Sequence, residues 1–230
     1  MADPHSSDTA REPLFNAPLL ILVLPVIILG GYGLQVLAGP AAQQTIDDNF
    51  ALNPLLLRQG RWDLLLSYMF IHGGWFHAGS NAVYCLIFST PVIRAMGRGA
   101  AGVLSFLLFF LVCGVVAGVG YCLLNWRADD PVLGASGAVF GLVGAASRLL
   151  NVQRPKLNGL FSSTVIGLAL FFCLVTSGVL SSLLSSNLFS VGVPAGANLA
   201  WQAHIAGYLF GLLLIEPWLR VFHRQYFTTN

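Results

Sequence analysis

From Gly99 to Leu124 no side chain carries a charge, and five further stretches of the chain are nearly as apolar. A helix needs roughly 20 mostly apolar residues to cross a hydrocarbon core about 30 Å thick. Stretches of this kind cannot be hidden inside a small soluble domain. Charged residues make up 9% of the 230 positions and hydrophobic ones 56%, with a mean hydropathy of +0.76. A soluble globule carries about 25% charged residues. The chain therefore reads as an all-α, polytopic membrane protein, one compact six-helix bundle without a separate soluble domain. Its net charge of +2 is small and scattered, so nothing suggests nucleic acid as a partner.

The six candidate spans run from about Ala17 to Ala38, Trp75 to Ile93, Gly99 to Leu124, Gly134 to Leu150, Leu160 to Leu184 and Asn198 to Val221. Residues 1–16 read as a short N-terminal tail, 17–221 as the six-span domain and 222–230 as a C-terminal tail. The N-terminus mixes Arg11 with Asp3, Asp8 and Glu12 and lacks a short apolar segment followed by a small-residue cleavage site, unlike a secretory signal peptide. The connection from Gly39 to Gly74 contains P-L-L-L (Pro54 to Leu57) and W-D-L-L-L (Trp62 to Leu66). These runs are too short to cross and too apolar to float free, which predicts a partly helical segment lying at the membrane surface. No internal repeat is visible, unlike the inverted repeats of many transporters.

Basic residues set the orientation. With the N-terminus in the cytoplasm, eight of them (Arg11, Arg94, Arg98, Arg148, Arg154, Lys156, Arg220 and Arg224) fall on that side and three (Arg58, Arg61 and Arg127) on the other, as the positive-inside rule requires. Both termini are then cytoplasmic. Spans two, four and six all enter from the outer side, which brings His77, Asn81, Ser136 and His204 to a similar depth near their outer ends. Polar groups within a span mark a functional site by default, because burying them in lipid is costly.

The chemistry of these four residues fits acyl transfer. Ser136 stands in G-A-S-G (Gly134 to Gly137) at the start of the fourth span. A hydroxyl becomes a nucleophile when a base takes its proton, and a helix N-terminus offers free N–H groups and a positive dipole end to an oxyanion. The alternative for Gly134, Ser136, Gly137, Gly141 and Gly144 is a role as small packing residues. His204 in W-Q-A-H-I-A-G supplies the usual base, the alternative being a core histidine satisfied by a carbonyl. Gly207 and Gly211 follow one and two turns on, so this face can press against a neighbouring helix. His77 and Asn81, four apart, share a helical face, and both can donate to an oxyanion.

None of the nine acidic residues lies mid-span. Glu216, twelve residues beyond His204, is about 18 Å away along a helix. A buried Ser-His-Asp triad is thus excluded, as is a pair of intramembrane aspartates, and a Ser-His dyad remains. His72 is expected in the loop above His77. Without H-E-x-x-H or a nearby carboxylate, no metal site is expected there. Cys85, Cys113, Cys122 and Cys173 lack zinc-binding spacings and read as packing residues.

H-G-G-W-F-H-A-G-S-N (His72 to Asn81), G-A-S-G-A-V-F-G (Gly134 to Gly141) and A-H-I-A-G-Y-L-F-G (Ala203 to Gly211) occur in this order on spans two, four and six. Together they resemble the rhomboid intramembrane serine proteases over most of the chain. The resemblance implies Ser136 as nucleophile, His204 as base and then acid, and an oxyanion hole from His77, Asn81 and the Ser136 N–H, with Gly134, Gly137, Phe140 and Gly207 in support. It also implies transmembrane protein substrates, a bilayer setting, no cofactor, and gating by span five with the cap loop from Ser185 to Ala197. Two positions depart from the pattern. The Trp-Arg pair of the first loop appears reversed as Arg61-Trp62, and the tyrosine one turn after the serine is Phe140, which keeps the ring and loses the hydroxyl. A bacterial inner membrane fits the short chain. Two other readings are a rhomboid-like binder without activity and a small transporter lined by His77, Asn81 and His204. Oligomeric state is not legible.

Overall fold

A computed structural model of the chain describes residues 19–97, 99–152, 156–176 and 200–228. The expected tail 1–16, Arg98, Arg154, the end of span five and the cap loop from Ser185 to Ala197 lie outside the described residues. Among the described residues the fold is all-α, and the strand-like pairing is confined to an isolated antiparallel bridge between Leu52 and Val132.

A 3-10 turn (Leu19–Leu22) leads into α1 (Val23–Leu37). The connection that follows holds α2 (Pro40–Phe50), α3 (Pro54–Arg58), α4 (Leu64–Ser67) and a second 3-10 turn (Tyr68–Phe70). The long helices are α5 (Trp75–Met96), α6 (Ala100–Leu124), α7 (Ser136–Leu149), α8 (Ser163–Thr176) and α9 (Trp201–Phe222), with a short α10 (Gln225–Thr228) at the end. By length and composition α6 and α9 can each cross a membrane, while α1, α7 and α8 are apolar but shorter. α5 is 22 residues long, and its hydropathy is diluted by His77, Ser80, Asn81 and Arg94.

The first connection is more helical than its two apolar runs suggested. α2 carries the polar sequence P-A-A-Q-Q-T-I-D-D-N-F, which has no apolar run to announce it. It forms because Pro40 starts it and Gly39, at φ 87°, turns the chain out of α1. Local bonds sustain it, from Gln44 Nε2 to Asp48 Oδ1 (2.8 Å) and from Asn49 Nδ2 to the Thr45 carbonyl (2.7 Å). α3 is capped by Asn53, whose Oδ1 accepts from the N–H groups of Leu55 and Leu56.

α7 is the axis of the molecule. Every residue from Gly137 to Leu149 is buried, and α5, α6, α8 and α9 all pack on it. A helix buried all round must be apolar or small all round, which this sequence is up to Arg148, whose charge is paired. Its closest partner is α9. A Cβ at Gly207 would collide with the Gly137 carbonyl oxygen, one at Gly211 with the Gly141 carbonyl oxygen, and one at Gly144 with the Tyr208 carbonyl oxygen. On the α6 side, a Cβ on Gly141 would lie 2.5 Å from Cys113 Cβ, and one on Gly137 2.7 Å from Ala117 Cβ. Backbones this close gain dispersion contacts that larger residues would forbid, and in lipid that packing drives helix association.

At the opposite end from Ser136, Arg148 of α7 pairs with Glu216 of α9, which also accepts from Arg220 at 2.8 Å. Asn158 closes the C-terminus of α7, its Nδ2 donating to the carbonyls of Ser147 (2.8 Å) and Leu150 (2.7 Å). Trp218 Nε1 donates to Ser105 Oγ (2.8 Å), which lies 2.7 Å from His223 Nε2 and ties α9 to α6. The segment read as a C-terminal tail folds back as far as Thr228, where Tyr226 is buried and donates to the Lys156 carbonyl. Cys85, Cys113 and Cys122 are buried free thiols, whereas Cys173 is exposed.

Gly211→Leu is expected to destabilise the protein by about 3 kcal/mol or more, since backbone rather than a yielding side chain stands in the way. Gly30→Ala, where an added Cβ has nothing within 4 Å, is expected to leave stability unchanged. Thermal denaturation in detergent compares the two, and equal melting of Gly211→Leu and wild type would contradict the close approach of α7 and α9.

Candidate active site

Ser136 owes its position to the loop in front of it. The segment leading into α7 is pinned at successive points, by the Leu52–Val132 bridge, by the Gly134 N–H donating to the Tyr68 carbonyl (2.8 Å), and by the Ala135 N–H directed at His72 Nε2 (3.4 Å). Gly134 has φ 114°, a conformation that L side chains rarely adopt. A Cβ there would also lie 2.6 Å from His77 Cε1. The glycine thus turns the chain sharply into the helix and lets the His77 ring rest on its backbone. Ser136 is the first residue of α7, where N–H groups have no intrahelical acceptor and face the positive end of the dipole.

His204 stands in the first turn of α9, facing the same point. Its Nε2 lies 2.9 Å from Ser136 Oγ. In the neutral tautomer with the proton on Nδ1, the serine hydroxyl donates to Nε2. The ring is buried and stacks on Phe140, with centroids 4.3 Å apart and planes 10° from parallel. Phe140 in turn meets Phe172 of α8 edge-on at 5.1 Å. His204 Nδ1 has no hydrogen-bond partner among the described residues, so no carboxylate orients it there. Glu216 is engaged with Arg148 and Arg220 instead.

His77 and Asn81 lie on α5, one turn apart. His77 is half-buried over Gly134, and Asn81 is buried with its Nδ2 unpartnered among the described residues. Both side chains can donate hydrogen bonds. Of the supporting residues, Gly137 and Gly207 meet each other in the α7/α9 contact.

One residue of this region had been expected above it. His72 does lie in a loop, but only 1% of it is exposed. Its N–H donates to Gln35 Oε1 of α1 (3.0 Å), and its ring meets His77 edge-on at 5.2 Å. Burial, with a smaller push from His77, brings this imidazole down to about 3. A histidine between two apolar stretches was the available signal, yet only the packing of α1 reveals that the loop turns inward. The reversed pair also has a local role. Arg61 donates to Asp63 and to the Asn49 carbonyl, bracing α2 against α4, and hydrogen bonding from Arg61 holds the Asp63 carboxyl below its usual range. Trp62 is 66% exposed. Among the described residues no group of three His, Cys, Asp or Glu side chains is arranged to hold a metal ion.

Gly134→Ala forces a side chain into both a left-handed backbone and the His77 ring. A cost of about 1–3 kcal/mol in stability is expected from the backbone alone, and displacement of His77 is expected to reduce reaction at Ser136. Melting and serine-probe labelling of this variant measure the two effects, and wild-type values for both would refute the stated role of Gly134.

Comparison with known proteins bears on this arrangement. The family model described as the Rhomboid domain matches residues 59–220, a segment that includes all three motifs. The chain is 30% identical over 124 residues to the rhomboid protease GluP of Bacillus subtilis, covering 54% of this chain and 23% of that protein. It is 26% identical over 155 residues to YdcA of the same bacterium, covering 67% and 66%. Against RHOMBOID-like protein 5 of Arabidopsis thaliana it is 28% identical over 111 residues, covering 48% and 34%. The matched part is thus less than two thirds of each relative's length. With a family match spanning more than half of its residues, this integral membrane protein belongs to the rhomboid family.

Proposed function

We propose that the chain is an intramembrane serine endopeptidase that cuts peptide bonds in or beside the transmembrane helices of other proteins. The observation that carries this reading is the 2.9 Å approach of His204 Nε2 to Ser136 Oγ, at a helix N-terminus flanked by His77 and Asn81. Ser136 Oγ attacks the carbonyl carbon as its proton passes to His204 Nε2. The resulting oxyanion is stabilised by His77, Asn81 Nδ2 and the Ser136 N–H. His204 then returns the proton to the leaving amine, and water, activated by the same imidazole, releases the acyl group. Phe140 holds the ring in plane in place of an aspartate.

The membrane setting explains the shape of α7. Its 14 residues rise about 21 Å, well short of a core about 30 Å thick. With Arg148 near the cytoplasmic boundary, Ser136 lies below the outer surface and needs a polar cavity open to that side for water. In this reading α1, α5, α6, α7, α8 and α9 are the six spans, the domain runs from 17 to 221, and both termini face the cytoplasm of a bacterial cell. Substrates enter from the lipid, unwind locally to expose the bond, and carry a small side chain before it.

A fluorophosphonate probe is expected to label the purified, detergent-solubilised wild type and to label neither Ser136→Ala nor His204→Ala. Asn81→Ala is expected to keep the fold and to lose about 100- to 1,000-fold in kcat, the usual effect of removing one oxyanion donor. A folded wild type that neither labels nor cleaves a model transmembrane substrate would overturn the protease reading in favour of a binding protein.

A further inference from the structure

The stretch before Ser136 has its backbone N–H groups taken up in order. Gly134 N–H goes to the Tyr68 carbonyl, and Ala135 N–H points at His72 Nε2. Ser136 N–H is the next in line, at the start of α7, with no intrahelical acceptor. The two acceptors are four residues apart in the 68–72 segment, and the same His72 ring meets His77 edge-on. One imidazole therefore touches both halves of the oxyanion hole, the backbone half through Ala135 and the side-chain half through His77. The loop is anchored from behind, because His72 N–H donates to Gln35 Oε1, both residues being buried.

We infer that His72 is a positioning residue for the proposed hydrolysis, an acceptor that holds the Ala135–Ser136 backbone in register with His77 so that the Ser136 N–H stays free for the oxyanion. This rests on the protease reading given above. An acceptor at Nε2 requires the neutral ring with its proton on Nδ1. Burial keeps the ring neutral at ordinary pH, and the proton on Nδ1 has no partner among the described residues. A buried polar atom left unsatisfied is costly, and here the opposite ring nitrogen faces the segment that carries the nucleophile. The 3.4 Å separation to Ala135 N is long for a hydrogen bond. Such contacts often tighten only when the reacting group is bound, so the effect belongs in turnover more than in substrate affinity.

The test compares His72→Phe, which keeps a ring and removes the acceptor, with His72→Gln, whose Oε1 reaches the place of Nε2. Both are made in the full-length chain and measured for kcat, KM and melting temperature on a model transmembrane substrate. His72→Phe is expected to lose about 10- to 100-fold in kcat, the scale of a misplacement near the reacting centre, with KM within about twofold of wild type. His72→Gln is expected to recover most of that loss. Unchanged kcat in His72→Phe would overturn the inference. So would equal loss in both variants accompanied by equal loss of melting temperature, which would make His72 a packing residue. Wild type and Ser136→Ala run alongside: an inactive wild type removes the protease reading itself, whereas an active wild type with unaffected His72 variants removes only the role given to His72.

Discussion

The contact between α7 and α9 is the constraint on which the rest depends. Gly207 and Gly211 present bare Cα atoms to the carbonyl oxygens of Gly137 and Gly141, and Gly144 does the same for Tyr208. Lipid offers no hydrophobic incentive for helices to associate, so close backbone packing has to supply it, with Cα–H to carbonyl contacts as a smaller addition. Ser136 is one residue before Gly137, and His204 is one turn before Gly207. The spacing that lets the two backbones touch is therefore the spacing that brings Oγ within 2.9 Å of Nε2. A side chain at any of these glycines would part the helices by more than a hydrogen bond can stretch. At the far end, the Arg148–Glu216 pair fixes the rotation of one helix on the other. Loss of Arg148 would leave Glu216 still paired with Arg220, whereas loss of Glu216 would strip the buried Arg148 of its carboxylate.

A second feature follows from the scarcity of acids within the bundle. The proposed base, His204, has its ring stacked on Phe140 where a soluble hydrolase would use a carboxylate. Orientation by packing suffices when the imidazole is enclosed on its flat faces, and it avoids burying a charge that lipid would penalise. The missing hydroxyl of Phe140 leaves that stacking intact. Of the buried polar atoms without partners among the described residues, Gln35 Nε2, His72 Nδ1, Asn81 Nδ2 and His204 Nδ1 lie at the Ser136 end of the bundle, while Asp47 Oδ1 is in α2, Ser89 Oγ in the second half of α5 and Arg148 Nε at the opposite end. Unsatisfied polar atoms concentrate where a protein trades stability for chemistry.

The apolar stretches, the helical class and the four polar residues were legible from residue types alone, because charge is expensive in lipid and its absence is easy to read. The order of the described helices along the chain followed directly, and the expected ends that fall among the described residues lie within a few residues of those observed. α2 was not legible, since a polar helix has no apolar run to mark it. The inward turn of His72 was hidden as well. It depends on Gln35, 37 positions earlier, and no local pattern connects the two. The folded-back C-terminal segment similarly depends on Tyr226 reaching Lys156 across a long separation.

The sequence by itself determined that this protein lives in a membrane, which residues are small enough for helices to touch, and which side chains have the chemistry for acyl transfer. These are properties of single residues and of their periodicity, and they survive without knowledge of neighbours. Tertiary structure alone decided that α7 is the central helix, that Gly137 meets Gly207 and Gly141 meets Gly211, and that His72 and His77 flank the turn at Gly134. Those are pairings between distant segments. They are chosen by the total packing of the bundle, where many weak contacts select one arrangement that no short stretch of sequence encodes.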